Sequence, residues 1–356
     1  MQTPAGFVTR SGNSLTLGGS PFRARGANVY YLQSDLANAQ QFGNANLLQK
    51  ARESLDVLVC LGMPVVRTWA FNERAASADA ASIQPSPGVF REEGLIALDQ
   101  SVAEAKARGL RVILTLADNW SYYGGLPQYA AWAGKSHDDF FGDAQMKGWW
   151  KAYAAMLLAR VNTLTGVRYR DEPAILAWEL GNEFRCSTCK GTPRMHDAIA
   201  EFAAHLRSLG ASQLIADGGE GFDDHPGLWS LSNSYPVSGN DGASFSTLAA
   251  IPQLDVLSYH VYPLSYGLNA DADALEWIDG HQRIAADGSR VACAGEYGFA
   301  ADDATRARKY DGWLPRISSL GFVWQVLPEG VPDNDGFGVY YPSDGATLDV
   351  LVRWAR

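Results

Sequence analysis

Short apolar runs that end in polar residues, alternating with stretches of helical spacing, constrain this chain most. Residues 175–178 read Ile-Leu-Ala-Trp, and Asn182, Glu183 and Arg185 follow within a few positions. A continuously apolar strand is one buried on both faces, as in a parallel sheet. Polar and acidic residues at its end then suggest a sheet that carries chemistry along its C-terminal edge. An isolated example would be an ordinary strand running into a solvated loop. Residues 293–299, CAGEYGF, repeat the pattern with Glu296 in the matching place.

The same reading predicts strands near 22–29, 65–69, 112–116, 214–217, 255–260, 291–296 and 322–326, besides the one that opens at 175. Helices are expected near 47–61, 92–108, 145–164, 194–209, 273–285, 303–320 and 348–354. In the second of these, Leu95, Leu98, Val102 and Ala105 fall at helical spacing. Residues 7–18 alternate around a Gly12-Asn13 turn and predict a short hairpin ahead of the main fold. No linker or low-complexity tract divides the chain. Eight βα units in one chain point to an α/β fold, a (β/α)8 TIM barrel with a short N-terminal β-hairpin, forming one catalytic domain over residues 1–356. A doubly wound sheet is the runner-up, weakened because Gly26-Ala27-Asn28 is no glycine-rich phosphate turn.

The net charge of −10, with no basic run, argues against nucleic acid. Eleven tryptophans and fifteen tyrosines supply flat faces that suit a core and also stack on sugar rings. No apolar run reaches the length of a membrane helix, since Gly62 and Pro64 interrupt residues 55–66. The chain start lacks an apolar signal core, so the protein is either cytoplasmic or a mature form; the expectation is the mature form of a secreted or periplasmic protein, acting as a monomer. Cys60 and Cys293 sit in apolar elements and read as buried thiols. Cys186 and Cys189 lack the further ligands that zinc needs, so the pair reads as a local disulfide, which favours an oxidising compartment.

The expected strand ends collect Arg67, Trp69, Asn119, Trp120, Asn182, Glu183, Glu220, His260, Tyr262, Glu296 and Trp324 at one mouth. Two facing carboxyls among aromatics are what glycosidic cleavage needs: one donates a proton and the other stays ionised. At a separation of about 5 Å and an effective dielectric near 20, their repulsion is about 3 kcal/mol, or roughly two pKa units. A neighbouring arginine can therefore hold one ionised while the other keeps its proton. No metal or cofactor is expected, because the strand ends carry neither His-x-His nor a lysine suited to carboxylation.

The segments RTWAFNE (67–73), DNWSYYGG (118–125), AWELGNEFRC (177–186), EGF (220–222), HVYP (260–263), GEYGF (295–299) and VWQ (323–325) resemble glycoside hydrolase family 5, and within it the β-mannanase branch. The resemblance covers essentially the whole chain in order. It implies Glu183 as acid/base and Glu296 as nucleophile, with Asn182 on the sugar 2-hydroxyl and Arg67 holding the charge of Glu296. It implies Tyr262 on the nucleophile, His260 on the acid/base side, Trp324 under the reacting sugar, and Trp120 and Arg185 on neighbouring sugars. A disulfide just after Arg185 is also implied. Phe184 departs from the usual proline, Tyr297 from phenylalanine and Asp118 from asparagine. Asn119-Trp120-Ser121 matches a glycosylation sequon, but a glycan there would block the mouth. The implied substrate is β-mannan or a manno-oligosaccharide, cleaved internally with retention. An exo-acting β-mannosidase, a β-1,4-glucanase and a silent sugar-binding barrel remain as alternatives.

Overall fold

A computed structural model describes residues 3–355. The expected catalytic unit over 1–356 therefore includes Met1, Gln2 and Arg356, which lie outside the described residues. Three antiparallel strands come first: β1 (Val8–Ser11), β2 (Ser14–Leu17) and β3 (Ser20–Phe22). Eight parallel strands then close a barrel: β4 (Ala24–Asn28), β5 (Val65–Trp69), β6 (Arg111–Thr115), β7 (Ile175–Glu179), β8 (Leu214–Ala216), β9 (Val256–Val261), β10 (Val291–Tyr297) and β11 (Leu320–Val323). Each barrel strand is buried at every residue. That agrees with the unbroken apolar runs, because barrel interior and helix layer both exclude water.

The small sheet plugs the N-terminal end of the barrel. Val8 and Leu15 join Val65, Ile113, Leu214, Val256, Val291 and Leu320 in one apolar cluster. Arg10 ties the sheet to Asp255 at 3.2 Å. With that end sealed, the open mouth lies at the strands' C-terminal ends.

The helices depart from the sequence reading in definite ways. Helix α1 (Leu32–Phe42) precedes α2 (Ala45–Cys60), so two helices follow the first barrel strand. The α1 helix has no simple apolar stripe, because Gln33, Ser34 and Asp35 belong to its buried face. Gln33 donates to the carbonyls of Ala81 and Gly94, and Asp35 pairs with Lys50. Next come α3 (Glu92–Ala107), α4 (Gly125–Ala133) and α5 (Ala144–Ala159). The α4 helix hides in the sequence behind Gly124, Gly125 and Pro127.

After α6 (Arg194–Ser208), the fifth barrel strand is followed only by the four-residue α7 (Phe245–Leu248), so alternation is looser than expected. Then come α8 (Asp271–Asp287), α9 (Asp303–Trp313) and α10 (Gly345–Trp354). The α9 helix stops well short of 320, where Pro315 removes a donor and Leu320 opens β11. Beyond it, β12 (Val326–Pro328) and β13 (Val339–Tyr341) pair in parallel and bracket a loop over the mouth. Cys60 is a correction. It ends α2 facing solvent, whereas Cys293 is buried in β10. Among the described residues, no helix is long and apolar enough to cross a membrane.

Candidate active site

Arg67, on β5, is fully buried at the barrel mouth and organises the site. Its Nη1 donates to Glu296 Oε1 at 2.7 Å and to Asn28 Oδ1 at 2.9 Å. Its Nη2 donates to Glu179 Oε1 at 2.6 Å and to Asn182 Oδ1 at 2.8 Å, and its Nε also reaches Glu179 at 3.0 Å. Burial alone would weaken the guanidinium's hold on its proton. The adjacent Glu179 and Glu296 more than offset this and hold it charged. A fixed five-donor fork is the side chain that can serve four acceptors at once.

Glu296 lies on β10 and Glu183 on the loop after β7. One oxygen of each and Nδ1 of His260 lie within 4.8 Å of one another. Burial pushes both carboxyls up, but their surroundings differ. Glu296 touches the guanidinium of Arg67, and its Oε2 accepts from the Tyr262 hydroxyl at 2.7 Å. Glu183 is bonded to no arginine among the described residues. Its Oε1 meets His260 Nδ1 at 2.7 Å, and its Oε2 accepts from Trp120 Nε1 at 2.6 Å. Of the two, only Glu296 is bonded to a guanidinium, a contact that favours its ionised form.

His260 is fully buried, and burial lowers its pKa against the pull of Glu296, which favours the neutral ring. Its Nε2 has no protein partner. A bare acceptor in that position costs less than an orphaned N–H, so the proton sits on Nδ1 and points at Glu183.

Asn182 accepts from Arg67 through Oδ1, and its Nδ2 donates to Asp118 Oδ1 at 3.0 Å. Asp118, singled out above as a departure, is buried with its second oxygen unpartnered. Burial, reinforced by the charges of Glu183 and Glu296, pushes its carboxyl well above the usual range, against the pull of the Asn182 bond. It accepts from the Asn182 amide and fixes its orientation.

Arg185 and Glu220, expected separately at the mouth, pair with each other through bonds of 2.6 and 2.7 Å. Burial and nearby Glu183 push Glu220 up to about 7. The Arg185 guanidinium also lies 5.1 Å from the Trp120 ring and 5.0 Å from the Phe222 ring. Trp324 stacks on Tyr30 with centroids 5.1 Å apart, and its Nε1 donates to Asp335 at 2.7 Å. Trp69 sits behind this wall, buried against Tyr30 and Tyr122.

The cleft above the two carboxyls encloses about 340 Å³ and is lined by Tyr262, Trp324, Asp335 and Phe337 among others. A second hollow of about 460 Å³, lined by Trp120, His137, Asp138 and Asp241, adjoins it at Arg185. The expected disulfide joins Cys186 to Cys189.

Phe184 now has an explanation. It is buried against Phe140 and Phe141, with its ring over Gly181. A Cβ at Gly181 would lie 2.0 Å from Phe184 Cζ, so the ring and the glycine require each other. Anchoring Phe184 inward accompanies the left-handed backbone of Glu183 (φ 55°), which no proline shapes here.

Sequence reasoning missed Asn28, Tyr30, Glu179, Asp335 and Phe337. Glu179 had a readable signal, a carboxylate inside an otherwise apolar strand. Asp335 had one in the turn-rich residues 333–336, Asp-Asn-Asp-Gly.

A family model described as GH family 5 beta-mannosidase-like matches residues 5–288. The chain belongs to glycoside hydrolase family 5. Relatives of this family member include rice (Oryza sativa subsp. japonica) mannan endo-1,4-beta-mannosidase 2, 34% identical, covering 98% of this chain and 82% of the relative. Mannan endo-1,4-beta-mannosidase 8 of the same plant is 31% identical, covering 98% and 99%. Among solved structures, a hyperthermostable endo-1,4-beta-D-mannanase from Thermotoga petrophila superposes with TM-score 0.85 at 29% identity, covering 94% of this chain and 99% of that one. The endo-1,4-beta-mannanase of Rhizomucor miehei gives 0.83 at 28% identity, covering 98% of each.

Proposed function

We propose that this chain is a retaining endo-β-1,4-mannanase acting on mannan, glucomannan or galactomannan. The observation that carries the reading is the opposed pair, with carboxyl oxygens of Glu183 and Glu296 within 4.8 Å and unequal partners. Retaining glycosidases keep their carboxyls about 5–5.5 Å apart, too close for water to enter first. Glu296 attacks the anomeric carbon while the glycosidic C–O bond breaks and Glu183 protonates the departing oxygen. Glu183 then takes a proton from water, whose oxygen displaces Glu296 and restores both groups.

Arg67 and Tyr262 hold Glu296, Asn182 binds the sugar 2-hydroxyl, and Trp324 floors the reacting ring. Trp120, Arg185 and Glu220 border the leaving-group side. The mannanase relatives support mannose as the sugar, and a cleft that continues past Arg185 favours internal cleavage over release of chain ends. One chain supplies every one of these groups, which suits a monomer. The Cys186–Cys189 disulfide suits secretion or a periplasmic location.

The test is Glu296→Ala on a defined mannopentaose. Turnover should vanish, and added azide should restore part of it as a glycosyl azide of inverted configuration. Undiminished hydrolysis in the variant would end the assignment. Carboxymethylcellulose as a parallel substrate separates mannanase from glucanase, and product sizes separate endo from exo action.

A further inference from the structure

Both oxygens of Glu183 are engaged by neighbouring side chains. Oε1 accepts from His260 Nδ1 at 2.7 Å, and the imidazole is fixed in that tautomer because its Nε2 is buried without a partner. The proton that Glu183 must deliver therefore belongs on Oε2. That atom accepts from Trp120 Nε1 at 2.6 Å. An indole N–H only donates, and a carboxylate accepts it far better than the hydroxyl oxygen of an acid does. The same indole is 44% exposed and forms part of the wall of the hollow on the leaving-group side.

We propose that Trp120 is a substrate-released clamp on Glu183: its N–H holds Oε2 and lets go when a sugar on the leaving-group side takes the indole face. Released, Oε2 takes a proton from solvent and faces the glycosidic oxygen. The clamp rests on the acid/base reading of Glu183 given above and adds to it a positioning role for Trp120. It couples occupation of the leaving-group subsite to arming of the acid. Water-filled or partly filled clefts thus keep Glu183 as an unreactive carboxylate.

Other groups facing Glu183 come from every neighbouring element. They are Arg67 on β5, Asp118 after β6, Arg185 on its own loop, Glu220 after β8, Glu296 on β10, and Tyr262 and Tyr266 after β9. Burial raises Glu183, and the Trp120 bond is the foremost influence drawing it back down. Deleting one N–H alters none of the other groups.

The experiment replaces Trp120 with β-(3-benzothienyl)alanine, which keeps the ring shape and exchanges N–H for sulfur, and compares Trp120→Phe. Rates on mannopentaose are measured against pH. The alkaline limb of kcat/KM reports the free enzyme and should rise by about one pH unit in both variants. The alkaline limb of kcat, set with the indole already on the sugar, should stay in place. A rise in KM with neither limb moved would refute the clamp and leave Trp120 a plain sugar platform. Equal movement of both limbs would refute release. Glu183→Gln run alongside separates the layers. If it abolishes turnover while the limbs ignore Trp120, only the clamp fails, and if it turns over normally, the acid assignment fails and the clamp with it.

Discussion

Glu73 offers the sharpest test of how burial tunes this molecule. It is 1% exposed beneath the loop that carries Asn119 and Trp120, and its Oε2 accepts from Gly125 N–H at 3.0 Å. The packing is tight: a Cβ at Gly124 would sit 2.7 Å from Glu73 Cβ, and one at Gly125 would sit 2.1 Å from the Trp120 carbonyl. Burial pushes the carboxyl up from an ordinary 4.5 to about 8. Between those values the folded chain keeps a proton that the unfolded chain has released. The associated stability is complete below pH 4.5 and is lost as pH rises through 8. At 1.36 kcal/mol per unit, the loss between about pH 5 and pH 8 is about 3 kcal/mol.

Glu73→Gln removes the titration, while its carboxamide oxygen can still accept from Gly125. Urea unfolding followed by tryptophan fluorescence at both pH values gives the comparison. The parent also carries Asp217 and Glu220, each pushed up to about 7 chiefly by burial, so both proteins lose stability on alkalinisation. The parent should lose about 3 kcal/mol more than the variant. Parallel losses would show that Glu73 is ionised in the fold, and the argument from burial would be wrong.

Tyr262→Phe deletes the 2.7 Å bond to Glu296 and should lower kcat by roughly 10- to 100-fold, as expected for a hydrogen bond to a charged group; unchanged kcat would remove Tyr262 from the site. Gly181→Ala should cost about 2–3 kcal/mol by driving a methyl group into the Phe184 ring. Adding Phe184→Leu should recover part of that cost in a double-mutant cycle, and strict additivity would deny the contact. Replacing Cys186 and Cys189 together by serine should cost about 2 kcal/mol on the chain-entropy account of so short a loop, read from urea midpoints, and no change would mean the bond does not form in the isolated protein.

Much of the site was legible because parallel barrel strands impose a strong pattern. Strands buried on both faces must be apolar, so the polar tips at Arg67, Glu183, His260 and Glu296 stood out, and their common end of the barrel followed from the alternation of strands and helices. Elements that stabilise themselves by polar burial were not legible. The α1 helix buries Gln33, Ser34 and Asp35, so no apolar stripe marks it. The α4 helix begins at two glycines whose purpose is close approach to Glu73 and the Trp120 loop.

What the sequence determined by itself was the barrel and the polar rim on which the two glutamates sit, since hydrophobic periodicity and strand-end polarity are local properties of the chain. Tertiary structure supplied the contact behind the role that the resemblance implied for Arg67, because Arg67 reaches Glu296 across 229 residues of chain. It also decided why residue 184 is phenylalanine, through a pocket built from Phe140, Phe141 and Gly181, residues that the linear sequence gives no reason to group. Packing and electrostatics act through space, and only the closed fold sets those distances.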